Sequence, residues 1–190
     1  DKPNAKLHIV VADPADGTIV ADELLPAGMR KVRTEIATRA EHLWSPNDPY
    51  LYDVTATLEF GAAKSQGKQE KLQQESQEIQ EKPAKSQEKQ DIVRSYCAFR
   101  TVEIKPDLKG IARFHLNGKP VFLKGVLDQG YWPDGLLTAP SDEALVHDIT
   151  AMKESGFTML RKHIKIESAR WYYHCDRLGM LVWPVSYTHL

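Results

Sequence analysis

The sequence predicts an antiparallel β-sandwich followed by a parallel β-α-β-α-β unit, and three observations lead there. Short segments alternating apolar and polar residues fill most of the first hundred positions, the period of half-buried strands. After Ile104 the pattern changes to helix-length amphipathic segments between short apolar runs, the mark of a parallel sheet. Within the first half lies one long tract nearly free of apolar residues, an excursion from the core rather than part of it.

The strands of the first half run as follows. Residues 6–11 and 18–21 flank Asp13-Pro-Ala-Asp-Gly17, a turn by composition. Residues 29–37 and 51–60 alternate with period two, and residues 91–104 form another such run. Between them, residues 64–90 hold eight Gln, six Lys, five Glu and three Ser, with Leu72 and Ile79 as the sizeable apolar residues. Lys64-Ser-Gln-Gly-Lys-Gln-Glu70 nearly recurs as Lys85-Ser-Gln-Glu-Lys-Gln-Asp91, the pattern of a repeat-expanded insertion. Too little apolar surface is present there to offset the entropy of ordering, so the tract reads as a solvated linker between two strands.

In the second half, residues 114–124 read as a hairpin around Asn117-Gly118, with the second arm continuing as a strand over 121–126. Ser141 precedes two acids and opens a helix whose apolar face carries Leu145, Ile149 and Met152, stopped by Gly156. A strand over 157–160 follows. A helix from about residue 167 then carries Trp171, Cys175 and Leu178 on one face and ends at Gly179. Residues 180–183 close the unit as a third strand.

Composition narrows the function. Of 190 residues, 42% are hydrophobic and 27% charged, enough for one or two domains with a real core. A net charge of −1 points to neither nucleic acid nor an anionic membrane. No apolar run approaches the roughly 18 residues of a membrane span. Cys97 and Cys175 are too few for a disulfide framework and leave the compartment open. His174 beside Cys175 lacks metal-ligand spacing, so neither a zinc site nor a cofactor is expected.

In parallel α/β units the C-terminal strand ends carry the ligand-binding groups. The first strand here runs out into Leu127-Asp-Gln-Gly-Tyr-Trp-Pro-Asp-Gly135 and the second into Arg161-Lys-His163. Asp128, Gln129, Tyr131, Trp132, Arg161 and His163 are therefore the candidate binding residues. Aromatic faces beside hydrogen-bonding groups suit a sugar ring, which has apolar C–H faces and polar edges. Arg161 can hold a hydroxyl pair or a carboxylate through its fork of donors. Blander readings stand beside these: Trp132 can anchor a loop, His163 can be structural, and Lys162 and Lys165 read as solvated surface charge. Trp171, Tyr172 and Tyr173 read as helix packing rather than as a binding platform.

Several motifs carry a resemblance. Leu43-Trp-Ser-Pro-Asn-Asp-Pro-Tyr-Leu-Tyr52 resembles the "LWsPxxPxLY" segment of glycoside hydrolase family 2, which holds β-galactosidases, β-glucuronidases and β-mannosidases. Phe99-Arg100 resembles the end of its "GfR" strand, with Ala98 where Gly is usual. Phe114-His-Leu-Asn-Gly-Lys-Pro-Val-Phe-Leu-Lys-Gly-Val126 resembles its "FxLNGxPxxLkGv" segment. Leu160-Arg161 and Cys175-Asp-Arg-Leu-Gly179 resemble the later "NxxR…cDxxGi" stretch. The matches run in the family's order from residue 43 to 183.

The resemblance implies an immunoglobulin-like β-sandwich over residues 1–105, with its insertion at 64–90, followed by part of a (β/α)8 barrel over 106–185. It also implies retaining hydrolysis of a β-linked sugar by two glutamates, with a β-glycoside as partner and no metal. A whole barrel needs about 250 residues, and the family carries both glutamates on later strands. Neither Glu143 nor Glu167 matches such a position, so no catalytic residue is expected in this chain and the chain alone should be inactive. The family's "RxxHYP" becomes Arg161-Lys-His-Ile-Lys, with the histidine one residue closer, and Leu127 and Gln129 stand where Asn and His are common. Residues 186–190 resemble translated adapter sequence at the edge of a bacterial metagenomic fragment, a non-native tail. The rival expectation is a non-catalytic carbohydrate-binding or adhesion module tethered by the Gln-rich tract.

Overall fold

A computed structural model describes residues 5–27, 33–60 and 90–185 of the chain. These are mostly β-structure with two helices. The chain divides into two compact units, Asp1–Arg39 with Asp53–Ser95, and Ala40–Tyr52 with Tyr96–Leu190.

The first unit is built on a four-stranded sheet of order β2-β1-β3-β4. Its strands are β1 (Ala5–Ala12), β2 (Ile19–Ala27), β3 (Tyr52–Phe60) and β4 (Gln90–Cys97). The β1–β2 hairpin closes through Asp13, whose backbone N–H donates to Thr18 O at 2.8 Å and whose carbonyl accepts from Gly17 N at 2.9 Å. Antiparallel register sets Leu7 opposite Leu25 on one side and Leu58 on the other. Ala5, Val11 and Ala21 are among its buried apolar residues. The Gln-rich tract runs between β3 and β4 in the chain, and residues 61–89 lie outside the described residues.

One expected strand is not there. Of residues 29–37, those described (33–37) have no regular structure, and the rest lie outside the described residues. The physical reason is burial: residues 33–35 and 37 are exposed, and Ile36 is only half-buried. Alternation without a face to bury does not hold a strand in a ladder.

The second unit begins with two small sheets of different kind. Strands β5 (Val102–Pro106), β6 (Ala112–Leu116) and β7 (Lys119–Pro120) form an antiparallel sheet in that order. Asn117 (φ 51) and Gly118 (φ 74) make the β6–β7 turn, both in the left-handed region that a two-residue hairpin of this type demands. The expected run over 91–104 is broken between β4 and β5, and residues 121–124 are not strand. The chain leaves the antiparallel sheet there and enters a parallel one.

That parallel sheet has order β10-β9-β8, with β8 (Gly125–Asp128), β9 (Met159–Lys162) and β10 (Leu181–Pro184). Helix α1 (Asp142–Glu154) connects β8 to β9, and α2 (Ala169–Leu178) connects β9 to β10. Ser141 caps α1 by accepting from Ala144 N at 3.2 Å. Gly179 ends α2 at φ 74. Both helices cover one face of the sheet, where Leu145, Ile149, Leu160, Trp171, Cys175 and Met180 form the core.

Candidate functional site

The site sits where β8 and β9 end together. Parallel pairing aligns Leu127 with Arg161 and Asp128 with Lys162. Side chains alternate along a strand, and this sorts the four residues into two faces. Leu160 is 1% exposed and lies in the core under the helices, and Lys162, two residues on, shares that side and is also 1% exposed. Arg161 falls on the other face between Leu127 and Trp183, both about half exposed, and is itself exposed.

The expectation that Lys162 is solvated surface charge is therefore corrected. Observed strand β9 lies two residues later than the apolar run suggested, which carries Lys162 inward. A buried ammonium needs compensation, and it has it. Nζ of Lys162 lies 2.8 Å from Asp128 Oδ2 and 3.0 Å from Glu167 Oε1, and 4.4 Å from the centre of the Trp171 ring. Lys165 joins the same cluster. Its Nζ pairs with Glu167 Oε1 at 2.7 Å and donates to the carbonyls of Gly130 (3.0 Å) and Leu137 (2.7 Å). Burial pushes the Glu167 carboxyl up, but hydrogen bonds from Lys165 and Lys162 outweigh it and hold the group below its ordinary range. Asp148 on α1 goes the other way, raised by burial and then by the nearby Asp128 charge.

Gly130 is the pivot of this arrangement. It adopts φ +66, and a Cβ there would lie 2.6 Å from Glu167 Oε1 and 2.9 Å from Lys162 Nζ. A side chain there would be strained by the left-handed backbone and would displace the charged ends of the cluster.

His163 follows directly. Its backbone N–H donates to Asp128 O at 2.9 Å, and Val185 N donates to Lys162 O at 2.8 Å, so the three strand exits are tied in series. The Nδ1 atom of His163 is buried without a hydrogen-bond partner. Other atoms of the residue line a cavity of about 170 Å³ together with Gln129, Tyr131, Leu137, Ile164 and Lys165. Ile164 adopts φ 43, a strained value for a β-branched residue.

Of the six sequence-chosen residues, the cavity thus gathers Gln129, Tyr131 and His163. Asp128 is engaged in the ion pair, and Arg161 is on the uncovered sheet face. Trp132 packs against the core, its backbone bridged to Leu136 by bonds of 2.7 and 3.0 Å. Sequence reasoning missed Lys162, Lys165 and Glu167 as a unit. His174 accepts a hydrogen bond at Nδ1 from Arg177 Nε (2.9 Å), and burial raises the Cys175 thiol, so both serve α2 packing.

The motif residues meet at a second place. Trp44 is fully buried and donates through Nε1 to Asp176 O at 2.7 Å, and its own carbonyl accepts from Asn117 Nδ2 at 3.0 Å. Arg100 stacks over the Trp44 ring at 4.7 Å. Tyr96 donates its hydroxyl to Asp176 Oδ2 at 2.9 Å; burial first, then that carboxylate, pushes the phenol up to about 12. Four separate motifs thus build one node.

Comparison with known proteins agrees with this geometry. No family model matches the chain. Over 84 residues, 44% of the chain, it is 34% identical to a β-galactosidase of Photobacterium profundum, of which it covers 8%. Over 180 residues, 95% of the chain, it is 24% identical to a β-galactosidase of Lactobacillus delbrueckii subsp. bulgaricus, covering 15% of that protein. Among solved structures, a β-glucuronidase of Parabacteroides merdae superposes with a TM-score of 0.65 at 22% identity, over 95% of this chain and 19% of that one. A glycosyl hydrolase family 2 member from Bacteroides cellulosilyticus gives 0.62 at 27% identity, over 94% and 20%. The chain spans roughly a tenth of the length of the curated relatives it matches. In sequence and in fold alike, the chain is similar to a segment of glycoside hydrolase family 2 enzymes.

Proposed function

We propose that this chain is part of a retaining glycoside hydrolase that cleaves a β-linked sugar, β-galactosidase-like in its sequence relatives, and that it supplies part of the sugar-binding rim. The supporting observation is the joint exit of β8 and β9, where a locked ionic cluster positions Gln129, Tyr131 and His163 around one cavity. In this reading residues 1–105 belong to an immunoglobulin-like sandwich, and residues 106–185, with β8-α1-β9-α2-β10, are the first part of a (β/α)8 barrel.

Two glutamates on later strands would do the chemistry. One protonates the departing oxygen while the other attacks the anomeric carbon, and the glycosyl-enzyme so formed is hydrolysed by water. The residues here would bind and orient. Gln129 and His163 hydrogen-bond hydroxyls, Tyr131 offers its exposed ring to a C–H face, and Arg161 directs its guanidinium into the barrel interior. Asp128 acts through Lys162, holding the rim in place.

The test is the coding sequence downstream of residue 185. Two glutamates at the ends of later barrel strands are expected. A continuation with no such pair would overturn the hydrolase reading in favour of a carbohydrate-binding module.

A further inference from the structure

We propose that Lys165 is a positioning residue for the sugar-binding rim: it closes the loop after β8, from Gly130 to Leu137, into a fixed wall that holds Tyr131 where a sugar would meet it. The inference rests on the glycosidase reading above and adds to it the side chain that sets this loop and the kinetic constant that side chain controls.

The grip is at the neck of the loop. One ammonium, Lys165 Nζ, donates to the carbonyl of Gly130 at 3.0 Å and to that of Leu137 at 2.7 Å, reaching positions 35 and 28 residues away. It also meets Glu167 Oε1 at 2.7 Å, and Glu167 in turn pairs with the buried Lys162 of β9. Both ends of the loop are thus tied through a single side chain to the neighbouring strand. Hydrogen bonds from an ionised donor are about twice as strong as neutral ones. The Lys165 side chain is only 13% exposed, so little water competes for them.

Inside that neck a second ring closes. Trp132 N donates to Leu136 O at 2.7 Å and Leu136 N donates to Trp132 O at 3.0 Å, while the Trp132 side chain packs against the core. Leu136 sits at φ 53 and Ile164, beside Lys165, at φ 43. Residues other than glycine keep such values only where their surroundings over-determine them, and they cluster where a site is preorganised. Tyr131 lies between two fixed points, Gly130 gripped by Lys165 and Trp132 anchored in the core. Its side chain is itself largely exposed, and the residue lines two cavities, of about 170 and 580 Å³. An exposed ring on an immobilised backbone suits a binding platform, because little ordering entropy remains to be lost when the sugar arrives. A ring laid on a C–H face makes the same contact in the ground state and the transition state, so its displacement raises KM and spares kcat.

The experiment uses the full-length product of the coding sequence that contains this chain, with the aryl β-glycoside it turns over fastest. Lys165→Met should raise KM by about tenfold and change kcat by no more than about threefold. The deciding comparison is made in the Tyr131→Ala background. There the same substitution should raise KM by no more than about twofold, because Lys165 acts through that ring. A merely structural lysine would lower activity equally in both backgrounds. Hydrogen exchange supplies a readout that needs no substitution: in the wild type, residues 130–138 should exchange at least about 100-fold more slowly than an unfolded chain. Melting curves establish folding; Lys165→Gln replaces Lys165→Met where the latter is unfolded, and where neither folds the exchange measurement decides. Equal effects in the two Tyr131 backgrounds, a loss confined to kcat, or rapid exchange of the wild-type loop each overturn the inference and leave the hydrolase reading standing. No hydrolysis of any β-glycoside overturns the hydrolase reading and the inference with it.

Discussion

The indole Nε1 of Trp44 donates to the carbonyl oxygen of Asp176 at 2.7 Å, joining positions 132 residues apart. The bond fastens residues 40–52 to the last turns of α2 within the second unit. Its energetic weight comes from what surrounds it: Trp44 has no exposed surface and carries Arg100 over its ring. Trp44→Ala should cost about 3–5 kcal/mol. Trp44→Phe keeps most of the ring but orphans the carbonyl, and should cost about 1–3 kcal/mol. Urea unfolding followed by circular dichroism checks both, and a Trp44→Phe midpoint equal to wild type would remove the bond from the account.

Two glycines with similar backbone should behave differently. Gly118 and Gly130 both have positive φ, but a Cβ at Gly118 meets nothing within 4 Å, whereas one at Gly130 meets the ionic cluster at 2.6 Å. Gly118→Ala should therefore cost only the left-handed penalty, about 1–2 kcal/mol. Gly130→Ala should cost clearly more and weaken protection of the loop after β8 in hydrogen exchange.

Lys162→Met removes the shared partner of two carboxylates in a buried cluster and should destabilise by about 3–5 kcal/mol. Arg161→Ala, one residue away, should change stability by no more than about 0.5 kcal/mol, because the side chain is exposed. In the longer enzyme the same change should lower kcat/KM by at least about tenfold. Full activity there would remove Arg161 from the binding site.

Stability should also depend on pH through Glu167. Its folded carboxyl titrates below the ordinary value of 4.5, so the folded state favours the ionised form. That contribution is fully present above the unfolded value and is lost as pH falls through the folded one. The wild-type advantage over Glu167→Gln should therefore be constant near neutrality and shrink below about pH 4.5. Asp148, raised by burial, acts in the opposite sense in both proteins, so the difference between the two curves is the quantity to read.

The 190-residue chain alone should show no turnover of an aryl β-galactoside or β-glucuronide. It should also be poorly soluble, because Phe122, Leu127 and Trp183 leave apolar surface uncovered. Turnover that survives stringent purification, or a soluble monomer that unfolds cooperatively, would count against these two expectations.

Much of the second unit was legible in the sequence because its signals are local. Asn117-Gly118, Ser141 and Gly179 each dictate one backbone conformation at one place, and each does so in the structure. What stayed hidden depends on partners. Residues 33–37 alternate as a strand should but bury almost nothing, and alternation alone cannot supply a neighbour. In the site the failure was one of length. The apolar run ends at residue 160, but the strand continues through Lys162, which therefore shares the core face of Leu160 while Arg161 takes the other. Lys162 is held by Asp128, 34 positions earlier, so its burial could not be read from its immediate neighbours.

The most direct measurement is the anomeric configuration of the first sugar released by the longer enzyme, followed by proton nuclear magnetic resonance during hydrolysis of an aryl β-galactoside. The account predicts the β-anomer first, with later mutarotation, as a two-glutamate retaining mechanism requires. Release of the α-anomer first, or no hydrolysis of any β-glycoside, would contradict it.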